Sequence, residues 1–150
     1  MNSMNTLSAK LPRFKGAILL VEDKDTVRKT TKTVLVKLGF TVFEAADIQQ
    51  TLSHWQDHKE IIDLLYTDVV LSGGENGLSL AENLLKDKPT LKVIVSSGYP
   101  QDSIGIDTKL KNLFQFLPKP CDLDMMITAV SNCFHTASEG KPFAALHSNL

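Results

Sequence analysis

Residues 17–23 of the chain read Ala-Ile-Leu-Leu-Val-Glu-Asp, five apolar residues in a row followed by two acids. A short run that is apolar at every position predicts a strand buried on both faces, which is the place of a central strand in a parallel sheet. The acids Glu22 and Asp23 then stand where that strand ends. The run therefore predicts both the middle of a sheet and charged groups at its edge.

Four further segments have the composition of strands. They are residues 40–43, 61–67 (Ile-Ile-Asp-Leu-Leu-Tyr-Thr), 91–95 and 114–117. Asp68 stands at the end of the second of these segments, so a third acid is expected at the edge of the sheet.

Helical patterns separate these strands. Apolar residues fall at helical spacing in four groups: Val27, Val34, Leu35 and Leu38; Ile48, Leu52 and Trp55; Leu78, Leu80, Ala81, Leu84 and Leu85; Met125, Met126, Ala129, Val130 and Phe134. Asp25 or Thr26 is expected to cap the first helix, and Asp47 the second. Gly39 and Pro89 are expected to end the first and third helices.

Strands that alternate with helices predict a parallel sheet with helices on both faces. In such α/β folds, ligands bind beyond the carboxyl ends of the strands. The Gly-rich residues 71–77 form a loop at that edge by composition. Residues 102–111 are expected to form only a weak helix, because Gly105 interrupts them.

The 150 residues, 43% of them hydrophobic, suit one domain with a real core. We expect a flexible lead over residues 1–15, a folded domain over 16–135 and a flexible tail over 136–150. The net charge of -1 and the dispersed basic residues argue against direct nucleic-acid binding. Cys121 and Cys133 show no metal or disulfide spacing, and no apolar run could span a membrane, so a complete chain of this kind is expected in the cytoplasm.

Five polar side chains are predicted to meet at the carboxyl edge of the sheet. Glu22 and Asp23 follow the first strand, and Asp68 follows the third. Ser96 comes at the end of the fourth strand, and Lys119 after the fifth. Clustered carboxylates repel one another unless a cation lies between them, and Mg²⁺ binds carboxylates together with a backbone carbonyl and water. A carboxylate left as a nucleophile can form an acyl phosphate, with the ammonium and hydroxyl groups contacting the phosphoryl oxygens.

Four segments in this order resemble the receiver domain of two-component response regulators. They are residues 19–23 (Leu-Leu-Val-Glu-Asp), 67–71 (Thr-Asp-Val-Val-Leu), 95–99 (Val-Ser-Ser-Gly-Tyr) and 116–120 (Phe-Leu-Pro-Lys-Pro). The resemblance extends from Gly16 to Phe134. It implies a doubly wound, flavodoxin-like fold with strand order 2-1-3-4-5 and a role as a phosphoryl-accepting switch in signal transduction.

The resemblance also implies a role for each site residue. Asp68 is the expected phosphoryl acceptor, Lys119 and Ser96 the groups that contact the phosphoryl oxygens, and Phe116 the aromatic residue that moves on activation. The expected ligands of Mg²⁺ or Mn²⁺ are Glu22, Asp23, Asp68 and the backbone carbonyl of Val70.

The implied phosphate donor is a histidine kinase or a histidine phosphotransfer protein. The domain would catalyse its own phosphorylation and dephosphorylation and would turn over no metabolite. Too few residues follow Phe134 for a DNA-binding helix-turn-helix, so the chain is expected either to act in a phosphorelay by docking to a partner or to be the terminal receiver of a hybrid kinase.

Three features depart from the family pattern. The hydroxyl position, commonly Thr, is Ser96. The usual Pro four residues after the acceptor is Ser72, which predicts a less rigid loop. Residues 73–77 (Gly-Gly-Glu-Asn-Gly) are similar to the longer loop of receivers attached to hybrid sensor kinases.

Two other functions remain open from the sequence. One is a phosphorylation-independent interaction module with a degenerate site. The other is a Mg²⁺-dependent aspartyl phosphatase of the haloacid-dehalogenase type, which needs an acid two residues after its nucleophile. Val70 occupies that position here, so the phosphatase is the weaker alternative.

Overall fold

The computed structural model describes residues 11–98 and 114–134. In chain order its elements are β1 (Ala17–Val21), α1 (Asp25–Lys37), β2 (Thr41–Ala45), α2 (Ile48–His58), β3 (Ile62–Asp68), α3 (Gly77–Asp87), β4 (Lys92–Ser97), β5 (Phe114–Pro118) and α4 (Leu123–Ser131), with a 3₁₀ turn at Ser72–Gly74. The predicted weak helix at 102–111, Tyr99 and the predicted tail at 136–150 lie outside the described residues. Within the described ranges, no helix is both long and apolar enough to cross a bilayer.

The five strands form one parallel sheet in the order β2-β1-β3-β4-β5. This confirms the predicted parallel sheet and the strand order that the resemblance implied. The order reverses direction between β1 and β3, which is the switch point at which such folds bind ligands. The register pairs Asp68 of β3 with Ser96 of β4, so two predicted site residues lie side by side.

Helices cover both faces of the sheet. Alternate residues of the central strands point to opposite sides, so each strand contributes to a core on each face. Leu19 and Val21 of β1 pack in a core with α2 and α3. Ile18 and Leu20 pack on the other face with α1 and α4. Such fully buried Leu and Ile side chains each contribute about 1.5–3 kcal/mol of transfer free energy, and this fixes the strand that carries the acids.

Helix α1 ends as predicted but begins differently. Gly39 has a φ of 108°, and its amide donates to the carbonyl of Val36 at 3.0 Å, which closes the last turn. The expected caps Asp25 and Thr26 were wrong: the cap position is Lys24, whose side chain makes no capping bond, and Asp25 is the first helical residue. Asp25 instead places an acid in the first turn, where the helix dipole favours it.

Helix α2 confirms its predicted cap and corrects its predicted inner face. The Asp47 side chain accepts a hydrogen bond from the Gln50 amide at 2.8 Å. Trp55 is buried against the sheet as expected, but Leu52 is 47% exposed and Thr51 is fully buried. The Thr51 hydroxyl donates to the Asp47 carbonyl at 2.8 Å, which satisfies it inside the core.

The packed unit includes part of the predicted lead. Phe14 is 4% exposed, its ring stacks on Phe40 at 5.2 Å, and its amide donates to the carbonyl of Leu38 at 2.8 Å. Phe40 also contacts Phe134 beyond the end of α4, with ring centroids 4.8 Å apart. These three rings close the end of the core away from the acids.

Candidate functional site

Three carboxylates meet at the carboxyl edge of the sheet. Glu22 and Asp23 follow β1, Asp68 ends β3, and one oxygen from each lies within 4.8 Å of the others. Glu22 and Asp68 are 5% and 7% exposed, whereas Asp23 is half-buried. The site therefore concentrates negative charge in a place with little water to screen it.

Lys119 supplies the compensating positive charge. Its ammonium is ion-paired with Oδ1 of Asp68 and lies 3.3 Å from Oε1 of Glu22. Its backbone amide donates to the carbonyl of Ser97 at 2.8 Å, which aligns the segment after β5 with the end of β4. The predicted convergence of Glu22, Asp23, Asp68 and Lys119 is thus present in the structure.

The electrostatics of the acids differ with their surroundings. Burial, above all, raises the pKa of the Glu22 carboxyl to about 7, and the neighbouring Asp68 adds to this, although the Lys24 amide donates to Glu22 and opposes it. A hydrogen bond from Ser72 lowers the pKa of Asp23. Burial works against the charge of Lys119, but its contacts with Asp68 and Glu22 together outweigh burial and raise its pKa. The attraction of the Lys119 ammonium therefore does not offset the burial of the Glu22 carboxyl.

A cavity of about 260 Å³ opens beside these groups. It is bordered by Asp23, Asp68, Val70, Ser96 and Lys119, among other residues. The volume is enough for a small cation and a phosphoryl group, since one water occupies about 30 Å³ of liquid. The structure therefore brings the predicted backbone ligand Val70 and the predicted hydroxyl Ser96 to the same space as the acids.

The loop after β3 is folded tightly enough to fix Val70. Val70 and Asn76 form an antiparallel bridge, and the Leu71 amide donates to the carbonyl of Glu75 at 2.9 Å. The Gly77 amide donates to the carbonyl of Val69 at 2.7 Å and starts α3 at that point. These backbone bonds restrain the loop although Ser72 stands in place of Pro. That the loop is less rigid than one with Pro stays a prediction.

Ser96 lies on β4, the strand next to that of Asp68, and Phe116 lies on β5, one strand further. Ser96 is 5% exposed and pairs with both Asp68 and Leu117 in the sheet register. Phe116 pairs with Val95, is half-buried, and its ring lies 6.4 Å from that of Phe114. Phe116 therefore lies two strands away from the acceptor, and no hydrogen bond or ion pair among the described residues joins the two.

Two residues of the site were not anticipated. Arg28 of α1 donates through Nη1 to the backbone carbonyl of Glu22 at 2.9 Å, and its guanidinium also contacts Asp25 and Glu44. Ser72 donates to Oδ2 of Asp23 at 2.5 Å. The i,i+3 spacing to Asp25 is local, but no local pattern signals the bonds from Arg28 to Glu22 and Glu44, which leave its helix. From the sequence, Ser72 stands out only as a residue at a position where the family pattern has Pro.

Comparison with known proteins decides the family. The model of the response regulator receiver domain matches residues 18–131. The chain belongs to this receiver family. It is 35% identical to the sensor kinase CckA of Brucella abortus over 115 residues, covering 77% of this chain and 12% of that protein. It is 32% identical to the transcriptional regulator NtrC of Azospirillum brasilense over 124 residues, covering 82% of this chain and 25% of NtrC.

Solved receiver structures agree with the fold. The receiver domain of the hybrid histidine kinase CckA is 33% identical, with a TM-score of 0.64 over 77% of this chain and 95% of that one. A receiver domain protein from Clostridium thermocellum is 20% identical, with a TM-score of 0.71 over 90% of this chain and 99% of that one, and it supports the fold alone. The receiver described here thus spans a small part of CckA and about a quarter of NtrC.

Proposed function

We propose that this receiver takes a phosphoryl group from a phosphohistidine onto Asp68, with Mg²⁺ bound beside it. The observation that carries the proposal is the cluster of Glu22, Asp23 and Asp68, with the Lys119 ammonium in contact with Asp68 and a cavity bordered by Asp23, Asp68 and Lys119 beside it. A family likeness alone leaves a degenerate site possible, whereas this site keeps every charged group that the reaction needs.

The residues at the cavity fit Mg²⁺. Hard divalent cations prefer oxygen ligands, and the three carboxylates and the backbone of Val70 offer them within one small space. We assign Glu22, Asp23, Asp68 and the Val70 carbonyl as the groups that hold the metal, directly or through water, and Mn²⁺ suits the same ligands. When bound, the metal neutralises charge on the acids and on the incoming phosphoryl oxygens.

The proposed transfer is a simple displacement at phosphorus. A carboxylate oxygen of Asp68 forms the new O–P bond while the P–N bond of the donor breaks, and the electron pair of that bond stays on the histidine nitrogen. Lys119 holds Asp68 in place before transfer and stabilises the phosphoryl oxygens as their charge moves. Hydrolysis of the acyl phosphate by water returns Asp68 to its carboxylate form.

The proposed switch starts from Ser96. Its hydroxyl, next to Asp68 in the register, donates to a phosphoryl oxygen once the phosphate is present. Phe116, one strand further, then changes position, and the surface formed by β5 and α4 changes with it. This is a shift between two populations that differ in their contacts with the phosphate.

The donor is proposed from chemistry and likeness together. The similarity to the CckA receiver favours a histidine kinase or a histidine phosphotransfer protein, either as a separate partner or joined to this chain in a hybrid kinase. A transfer assay from a panel of phosphorylated donors, read as radiolabel on this chain, identifies the cognate one by its rate.

The decisive experiment is Mg²⁺-dependent phosphorylation by acetyl phosphate, followed by intact-protein mass spectrometry. We expect a gain of one phosphoryl group in the wild type and in Asp57→Asn, an exposed acid on α2 that serves as control. Asp68→Asn should gain none. Equal modification of Asp68→Asn and wild type, or none in the wild type with either acetyl phosphate or a phosphohistidine donor, would refute the proposal.

A further inference from the structure

Ser72 and Asp23 are joined by a short hydrogen bond between two loops. The Ser72 hydroxyl donates to Oδ2 of Asp23 at 2.5 Å, although the two residues are 49 positions apart in the chain. Such a length is typical of a hydroxyl that donates to an ionised carboxylate. This bond is also the leading cause of the lowered pKa of Asp23. It ties the loop after β3 to the loop after β1.

The backbone places the Ser72 hydroxyl at this position. The bond from the Leu71 amide to the Glu75 carbonyl closes a turn around Ser72, Gly73 and Gly74. Gly73 and Gly74 have φ values of 77° and 79°, which other residues rarely adopt, and they reverse the chain directly after the serine. Ser72 therefore lies in a hydrogen-bonded turn, and the backbone of that turn fixes the direction from which its hydroxyl contacts Asp23.

Asp23 needs such a partner more than the other two acids. Glu22 is buried and accepts a bond from the Lys24 amide, and Asp68 is buried and paired with Lys119. Asp23 is half-buried, so its side chain has more freedom to rotate away from the cavity. One hydrogen bond to one of its oxygens restricts that rotation and leaves the other oxygen available to a cation.

We propose that Ser72 is a positioning residue for the metal, because its hydroxyl holds the Asp23 carboxylate in the orientation that binds Mg²⁺. This inference rests on the proposed function of the site. Proline, which the family commonly has at this position, carries no donor, so the bond is a property of this chain and not of the receiver fold. Partners that orient a metal-binding carboxylate or imidazole typically change metal affinity by about 10–100-fold.

The test is Mg²⁺ affinity, measured without phosphorylation by following backbone amide shifts in a nuclear magnetic resonance titration. Ser72→Ala should weaken Mg²⁺ binding by about tenfold, and Ser72→Thr, which keeps the hydroxyl, should stay within about threefold of the wild type. Thr33→Ala is the matched control, since Thr33 is an exposed residue on α1 whose hydroxyl donates to the backbone carbonyl of Lys29. Urea unfolding in EDTA, with no metal present, gives the stability of each variant by itself.

The outcomes separate this inference from the proposed function. If the wild type binds Mg²⁺ and takes up phosphate while Ser72→Ala binds Mg²⁺ equally or more tightly, the inference is wrong and the proposed function stands. If Ser72→Thr binds as weakly as Ser72→Ala, the hydroxyl is not responsible and the inference is again wrong. If the wild type itself binds no Mg²⁺, both fail together. Weak binding by Ser72→Ala alone, with unchanged stability in EDTA, supports the assignment.

Discussion

Gly77 packs against the backbone of Asp68 so closely that a Cβ atom at Gly77 would lie 1.8 Å from the Asp68 carbonyl oxygen. The same oxygen accepts a hydrogen bond from the Thr67 hydroxyl at 2.9 Å, so it has little room to move. The start of α3 is therefore in direct contact with the residue that we assign as phosphoryl acceptor. A glycine is needed here because of space, and not because of its backbone angles.

Gly77→Ala should accordingly disturb the acceptor itself. Overpacking of this kind destabilises by about 1–3 kcal/mol, and the better helix propensity of alanine offsets little of that, because Gly77 is the first residue of α3. We expect a net loss of stability in urea unfolding together with slower phosphorylation by acetyl phosphate. Gly98→Ala is the control for the stability measurement, since a Cβ there meets nothing within 4 Å, and Asp57→Asn, an exposed residue of α2, is the control for phosphorylation. Wild-type behaviour of Gly77→Ala in both assays would contradict the packing described.

Lys119→Met should separate metal binding from phosphorylation. The ammonium lies beside Asp68 and Glu22, where it repels a second cation. We therefore expect Mg²⁺ to bind at least as tightly to the variant. Loss of one preorganised donor to a phosphoryl group slows transfer by about 100-fold. Lys92→Met, an exposed lysine at the start of β4, serves as control, and a variant that binds less Mg²⁺ but phosphorylates normally would oppose this role for Lys119.

Arg28→Met should loosen the loop that carries the first two acids. The guanidinium donates to the Glu22 carbonyl at 2.9 Å, and its side chain is only 13% exposed. Removing a charged donor from a backbone carbonyl costs about 1–2 kcal/mol, which urea unfolding can resolve. Lys29→Met, on the exposed side of the same helix, should change stability little. A loss of equal size in the two variants would show that Arg28 acts through general charge and not through this bond.

Trp55 and Leu52 should differ sharply despite their neighbouring positions on α2. Trp55 is 5% exposed, and its indole donates to Asp87 at 2.8 Å, whereas Leu52 is 47% exposed. Trp55→Ala should destabilise by about 3–5 kcal/mol through the cavity it leaves, and Leu52→Ala should stay within about 0.5 kcal/mol of the wild type. Both stabilities are measured by circular dichroism in urea, because Trp55→Ala removes the single tryptophan and with it the fluorescence signal. Similar losses of unfolding free energy in the two variants would show that Leu52 is a core residue after all.

The error at Leu52 shows what local pattern reading could not decide. A helical spacing of Ile48, Leu52 and Trp55 fits an inner face, but a rotation of the helix by about 30° keeps Ile48 and Trp55 inside and places Thr51 there in place of Leu52, since each residue advances about 100°. Thr51 is acceptable in the core only because the Asp47 carbonyl accepts its hydroxyl hydrogen. That partner becomes visible only when the cap and the helix are in place.

The sequence by itself determined the parallel sheet, the place of Asp68 at the end of β3, and the meeting of Glu22, Asp23 and Lys119 with it. Buried parallel strands read as unbroken apolar runs, and their carboxyl ends must share one edge, so these residues could be found without coordinates. Only the tertiary structure decided the contacts of Ser72 with Asp23, of Arg28 with Glu22 and of Gly77 with Asp68. Ser72 and Asp23 are 49 positions apart in the chain, and the other two pairs are near in sequence but join different elements. The distances in all three pairs depend on how loops and helices pack against the sheet, which no local periodicity encodes.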